Sequence, residues 1–114
     1  MLQTNLEHVT SEQELDRVLA ENENVMIACG RMGPMCTPVY EAMQSLDRHY
    51  DSVAFRDMAF DSPVARRIRN LKETSGFMGL PFTVYFKNGK VVEATSGIQN
   101  KAQVAEILDR KLVS

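Results

Sequence analysis

The sequence has only two cysteines, no long apolar run and no excess of basic residues, and each absence excludes a class of protein. Two cysteines are too few for a small fold held together by disulfides, and a chain of 114 residues buries roughly 65% of its unfolded surface, enough for a core of its own. No segment approaches the about 18 apolar residues of a membrane-spanning helix. Lysine and arginine total 13 against 15 acidic residues, so neither nucleic acid nor an anionic membrane is an expected partner.

The N-terminal residues also lack the basic stretch and apolar segment of a cleaved signal peptide, so a cytoplasmic location is expected. In that compartment cysteines are more often free, catalytic or redox-sensing than structural. Phosphate-binding glycine loops and dinucleotide motifs are absent, and His8 and His49 are isolated in the sequence. The sequence therefore predicts neither a cofactor nor a metal site.

Apolar periodicity predicts alternating strands and helices. The strands are expected at 5–9, 25–29, 53–60, 82–86 and 91–95, the last two joined by a hairpin at Asn88-Gly89. The helices are expected at 11–22, from Cys36 or Thr37 through Tyr50, after an Asp61-Ser62-Pro63 cap, and after an Asn100 cap. The order βαβαβαββα predicts one α/β domain over residues 1–114, with a central mixed sheet and helices on both faces. A site is expected beyond the carboxyl ends of the strands, between Cys29 and Cys36.

Three segments carry a family resemblance that covers nearly the whole chain. Gly79-Leu80-Pro81-Phe82-Thr83 leads into the hairpin, Gly97 precedes the last helix, and Gly33-Pro34 lies in the turn before the second helix. In these segments the chain resembles the thioredoxin family. The resemblance implies a thioredoxin-like fold, thiol–disulfide exchange with protein partners, and a cis bond between Leu80 and Pro81 in a loop that holds substrate peptides.

The active-site turn departs from the family pattern, which is Trp-Cys-Gly-Pro-Cys. The corresponding segment, residues 29–36, reads Cys-Gly-Arg-Met-Gly-Pro-Met-Cys, without tryptophan and without Cys-x-x-Cys. Alignment on the Gly-Pro pair puts Met32 and Met35 at the cysteine positions, whereas the spacing of the second helix favours Gly33 at the first position and Cys36 at the second. The family's buried aspartate is missing from the second strand, and Asp57 on the third is the nearest acidic candidate for its role.

Cys36 and Cys29 are the candidate catalytic residues. Cys36 lies at a helix N-terminus, where the helix dipole favours a thiolate, while Cys29 ends an apolar strand, where core packing is the alternative. A disulfide between them requires their Cα atoms to lie within about 7 Å. If the turn brings them together they form an exchanging pair; otherwise Cys36 acts alone as a sensor or glutathionylation site, or both residues are structural.

A second group of residues is predicted to bind substrate, because methionines offer a deformable apolar surface and the proline loop presents backbone to an extended peptide. The group consists of Met32, Gly33, Pro34, Met35, Met78, Leu80 and Pro81. Ordinary packing is the alternative role for the methionines. The soft donors of Cys29, Met32, Met35 and Cys36 also suit Cu(I), although they lack a copper-binding spacing.

The leading hypothesis is therefore an atypical thioredoxin-like protein of cell redox homeostasis, with Cys36 and Cys29 as its redox pair. The expected partners are protein thiols and disulfides. The alternative is a redox-inactive module on the same fold that binds an extended segment of a partner protein.

Overall fold

The computed structural model describes residues 2–113 and has the predicted element order. The strands are β1 (Glu7–His8), β2 (Asn24–Gly30), β3 (Val53–Ala59), β4 (Phe82–Lys87) and β5 (Lys90–Ser96). The helices are α1 (Glu12–Glu21), α2 (Thr37–Asp47), α3 (Arg66–Arg69) and α4 (Lys101–Ile107). Turns of 3-10 helix at Pro63–Ala65 and Lys72–Thr74 flank α3, and a π-helical turn, Leu108–Leu112, continues α4. Within residues 2–113, no helix is both long and apolar enough to cross a bilayer.

The five strands form one mixed sheet in the order β1-β3-β2-β4-β5. The strands β1 and β2 both run parallel to β3, whereas β4 is antiparallel to β2 and to β5. The β4–β5 turn has positive φ at Asn88 (53°) and Gly89 (78°), the backbone that a two-residue hairpin requires. The mixed sheet and its terminal hairpin are therefore confirmed.

Helices cover both faces of the sheet, as predicted. On one face, which we call the α2/α4 face, Met26 of β2 packs with Met43 and Val104. On the α1/α3 face, Val25 of β2 packs with Leu15 and Ile68. Because successive strand residues point to opposite faces, β2 needs apolar side chains throughout, which explains its unbroken apolar run.

The cap predicted for the third helix is not formed, because its side chains bind other groups. Ser62 donates its hydroxyl hydrogen to the carbonyl of Ala59 at 2.8 Å, and the Asp61 carboxylate accepts from Arg31. Neither side chain caps α3, which has four residues. By contrast, Ser11 caps α1 by accepting from the Glu14 amide at 3.1 Å, and Asn100 forms a full capping box on α4.

Candidate functional site

The candidate site lies where β2 ends and the chain turns into α2. The carbonyl of Gly33 accepts hydrogen bonds from the amides of Cys36 (3.2 Å) and Thr37 (2.9 Å), which closes the turn. Cys36 is the N-cap residue of α2, and a proline follows within its first turn. Cys36 therefore lies at the N-terminus of α2, beyond the carboxyl end of the central strand β2.

The Cys36 sulfur is buried in a pocket formed by Gly30, Arg31 and Pro81. Only 3% of Cys36 is exposed, and its Sγ accepts a hydrogen bond from the Arg31 amide at 3.4 Å. A Cβ atom at Gly30 would lie 2.8 Å from this sulfur and 3.0 Å from Cβ of Pro81. Glycine at position 30 therefore lets the cysteine and the proline approach the strand.

Tyr40, which sequence reasoning missed, completes this pocket. Its hydroxyl donates to the carbonyl of Arg31 at 3.1 Å and would lie 2.7 Å from a Cβ at Gly30. Burial, together with the neighbouring Cys36, raises the pKa of Tyr40 well above its usual value. The available signal was spacing, since a residue four positions after Cys36 lies on the same side of α2.

Cys29 lies on the other side of the sheet from Cys36. Cys29 packs with the α1/α3 cluster and is fully buried, whereas Cys36 packs with the α2/α4 cluster. Burial raises the pKa of the Cys29 thiol from 9.0 to about 12. Both cysteines are free thiols in the structure.

The predicted substrate-binding residues lie on two loops, the turn at 32–35 before α2 and the loop at 78–81 before β4. Met32 and Met35 are about half exposed, at 46% and 49%, and Met78 is 94% exposed. We call these three residues and Ile98 the methionine surface; Ile98, 48% exposed, was not predicted, although its position after Gly97 was a usable signal. Gly33 and Pro34 lie in the turn between the two methionines, and Pro34 is exposed.

The loop before β4 is anchored to the end of β5. The Leu80–Pro81 peptide bond is cis. The Gly97 amide donates to the Pro81 carbonyl at 3.1 Å, and the Ser96 hydroxyl donates to the Gly79 carbonyl at 2.8 Å. These bonds hold Pro81 beside Gly30 and leave Leu80 half-buried next to it.

Asp57 is fully buried and lies on the same face of the sheet as Cys36. It pairs in register with Ala28, a member of the α2/α4 cluster. Its carboxylate accepts from the Thr4 hydroxyl at 2.5 Å and is hydrogen-bonded to Nδ1 of His8 at 2.6 Å. The acidic candidate of the third strand is therefore held by the N-terminal segment and β1.

The four soft donors suggested for Cu(I) do not share one surface. The sheet separates Cys29 from Cys36, and the two methionines between them face solvent. His49 is exposed, and His8 is bound to Asp57. Over residues 2–113, no group of three or more His, Cys, Asp and Glu side chains is arranged to hold a metal ion.

Comparisons with known proteins bear on the fold. Neither a protein-family model nor a curated protein matches the sequence. Among solved structures, thioredoxin from Plasmodium falciparum matches with a TM-score of 0.76 at 18% identity, over 93% of this chain and 99% of that one. A mutant thioredoxin from Halobacterium salinarum matches with a TM-score of 0.76 at 20% identity, over 96% and 94% of the two chains. Fasciola hepatica thioredoxin gives 0.75 at 18% identity, over 92% and 98%.

These matches extend over more than nine-tenths of each chain and are consistent with the sheet order described above. The chain therefore has the thioredoxin fold.

Proposed function

We propose that the protein carries out thiol–disulfide exchange with protein partners through Cys36. The observation that carries this proposal is the position of the Cys36 sulfur, which lies at the start of α2 against Gly30 and Pro81 and accepts the Arg31 amide hydrogen. The thiolate is the form of cysteine that attacks disulfides, so the sulfur itself has to meet the partner.

In the proposed step the Cys36 thiolate attacks one sulfur of a partner disulfide. A new S–S bond joins Cys36 to the partner, the old S–S bond breaks, and the second partner sulfur leaves as a thiolate. Another thiol then attacks the mixed disulfide and releases Cys36. Because Cys36 is 3% exposed, the 31–35 turn has to move for a partner sulfur to approach.

Cys29 is the second thiol in the sequence-based hypothesis. Its side chain leaves β2 on the face opposite Cys36, so a direct bond between the two requires the end of β2 to rearrange. Its buried thiol is also protonated at neutral pH, which makes it a poor nucleophile. We therefore propose that Cys36 attacks the partner disulfide. The experiment below measures whether Cys29 also reacts.

The test is intact mass and alkylation of the native protein across a series of reduced-to-oxidised glutathione ratios. We expect the wild type and Cys29→Ala to gain one glutathione, and Cys36→Ala to gain none. Joint loss of both thiols in the monomer, with no added mass, would instead establish a Cys29–Cys36 couple. Two free thiols at every ratio would contradict exchange.

The methionine surface favours a second candidate function, the binding of an extended partner segment without redox chemistry. Four exposed apolar side chains lie on the turn before Cys36 and on the loops before β4 and after β5, and flexible thioether side chains adapt to varied peptides. A screen of extended peptides distinguishes the two functions. Binding that survives Cys36→Ala but is lost on replacing Met32, Met35 and Met78 with serine supports the binding module.

A further inference from the structure

Two arginines lie against one aromatic ring beside the candidate site. The guanidinium carbon of Arg31 lies 5.1 Å from the centroid of the Phe60 ring, and that of Arg69 lies 4.7 Å from it. Edge contacts with Phe82, at a centroid distance of 5.4 Å, fix the ring in turn. Stacking on a held ring restricts where these two long side chains place their charge.

This arginine pair is connected directly to the Cys36 pocket. The Phe60 amide donates to the Gly30 carbonyl at 2.8 Å, and Gly30 is the residue against which the Cys36 sulfur packs. Arg31 belongs to both groups, because its amide donates to that sulfur while its guanidinium stacks on Phe60. The Arg31 charge therefore lies at the edge of the proposed reaction site, and Arg69 shares the ring on which Arg31 stacks.

The local charge is positive, although the whole chain has a net charge of -2. Asp61 binds Arg31 through two hydrogen bonds of 2.8 Å and offsets one of the two positive charges. Among residues 2–113, no acidic side chain forms a salt bridge with Arg69. The two arginines and Asp61 therefore leave one net positive charge beside the Phe60 ring.

We propose that Arg69, with Arg31, makes the Cys36 reaction selective for anionic disulfides, meaning disulfides flanked by carboxylates, such as glutathione disulfide or an acidic protein segment. This inference rests on the proposed exchange function. The Cys36 thiolate attacks a sulfur of the disulfide, the S–S bond of the substrate breaks, and the released thiolate carries away the electron pair. The guanidinium attracts the substrate carboxylates, since exposed charges act over a Debye length of about 10 Å at 0.1 M salt.

The test compares three small disulfides on the Cys29→Ala background, where Cys36 is the one cysteine. The disulfides are glutathione disulfide (anionic), bis(2-hydroxyethyl) disulfide (neutral) and cystamine (cationic), and intact mass gives the rate of mixed-disulfide formation. We expect Arg69→Gln to lower the ratio of the anionic to the neutral rate about threefold, the size typical of one exposed ion pair. The ratio of the cationic to the neutral rate should rise. Both changes should disappear in about 1 M salt, where the Debye length is about 3 Å.

Two further variants separate charge from packing. Arg69→Lys keeps the charge and should restore most of the anionic preference. Arg48→Gln removes the same charge from the C-terminal end of α2, roughly 18 Å along the helix from Cys36, and should leave both ratios unchanged.

Equal slowing with all three disulfides in Arg69→Gln, or no change in the ratios, would overturn the proposed selectivity while leaving exchange intact. Failure of the neutral disulfide to react with Cys36 in any variant is a separate result. It would refute the exchange function itself, and the selectivity with it.

Discussion

The two faces of the sheet at the end of β2 give the same residue type two different environments. On the α1/α3 face, Cys29 is surrounded by apolar side chains, and burial raises the pKa of its thiol to about 12. On the α2/α4 face, Cys36 lies at the N-cap position of α2, and its sulfur accepts the Arg31 amide hydrogen at 3.4 Å. The Cys29 thiol is therefore part of the apolar core, whereas the Cys36 thiol is a candidate reactant.

The difference arises from the alternation of strand side chains. Cys29 and Gly30 are neighbours in β2, so their Cα substituents point to opposite faces. The face that receives Cys29 is filled by its sulfur, whereas the face at Gly30 is left empty and receives the sulfur of Cys36. The reactive environment thus depends on the absence of a side chain at Gly30.

The largest expected effect comes from filling that space with Gly30→Ala. The added methyl group would lie 2.7 Å from the Tyr40 hydroxyl and 2.8 Å from the Cys36 sulfur, so the α2/α4 face has to shift. Overpacking of this kind costs about 1–3 kcal/mol of unfolding free energy. Urea denaturation measures this loss, and the rate of Cys36 alkylation should change with it.

Gly33→Ala is the matched control for that substitution. Apart from its chain neighbours, no atom lies within 4 Å of a Cβ at Gly33, so the unfolding free energy of Gly33→Ala should stay within about 0.5 kcal/mol of the wild type. Equal stability of the two variants would show that the space at Gly30 does not hold Cys36 in place.

Most of the fold follows from local patterns. The apolar run of β2 requires a strand covered on both faces, Asn88-Gly89 supplies the two positive φ values of a hairpin, and Asn100 caps α4. The missing cap of α3 did not follow, because Arg31, 30 positions earlier in the chain, binds the Asp61 carboxylate that was expected to form it. Competition from a distant partner is invisible to a local pattern.

The candidate site could be predicted only in part. Its location follows from the order of strands and helices, and the position of Cys36 at the start of α2 follows from apolar spacing. The hydrogen bond between His8 and Asp57 joins residues 49 positions apart, so strand register had to be known first. The opposite faces of Cys29 and Cys36 likewise required the register and the close approach at Gly30.

A smaller effect is expected on the Cys36 face from Tyr40→Phe, which removes one hydroxyl and keeps the ring. The lost hydrogen bond to the Arg31 carbonyl should lower the unfolding free energy by about 1 kcal/mol. The same hydroxyl holds Arg31, whose amide donates to the Cys36 sulfur, so its loss should slow alkylation of Cys36 by up to about fivefold if all of that energy enters the rate.

Tyr50→Phe serves as the control for Tyr40→Phe, because the Tyr50 hydroxyl binds the exposed Asp109 at 2.8 Å. Its alkylation rate should match the wild type. Faster alkylation of Tyr40→Phe than of this control would show that the hydroxyl shields the sulfur instead of activating it.

The smallest effect belongs to the Cys29 face and appears only in alkaline solution. The unfolded thiol loses its proton near pH 9, whereas the folded thiol keeps it until about pH 12, so folding stability must fall as the pH rises between these values. This single group should cost the wild type about 1 kcal/mol between pH 9 and pH 10. The unfolding free energy of Cys29→Ala, measured by urea denaturation, should therefore fall less steeply with pH above pH 9. Between pH 7 and 8 its curve against pH should run parallel to that of the wild type. Parallel curves above pH 9 as well would mean that Cys29 ionises as easily in the folded protein as in the unfolded chain, and the two faces of the sheet would then no longer differ in how they hold a thiol.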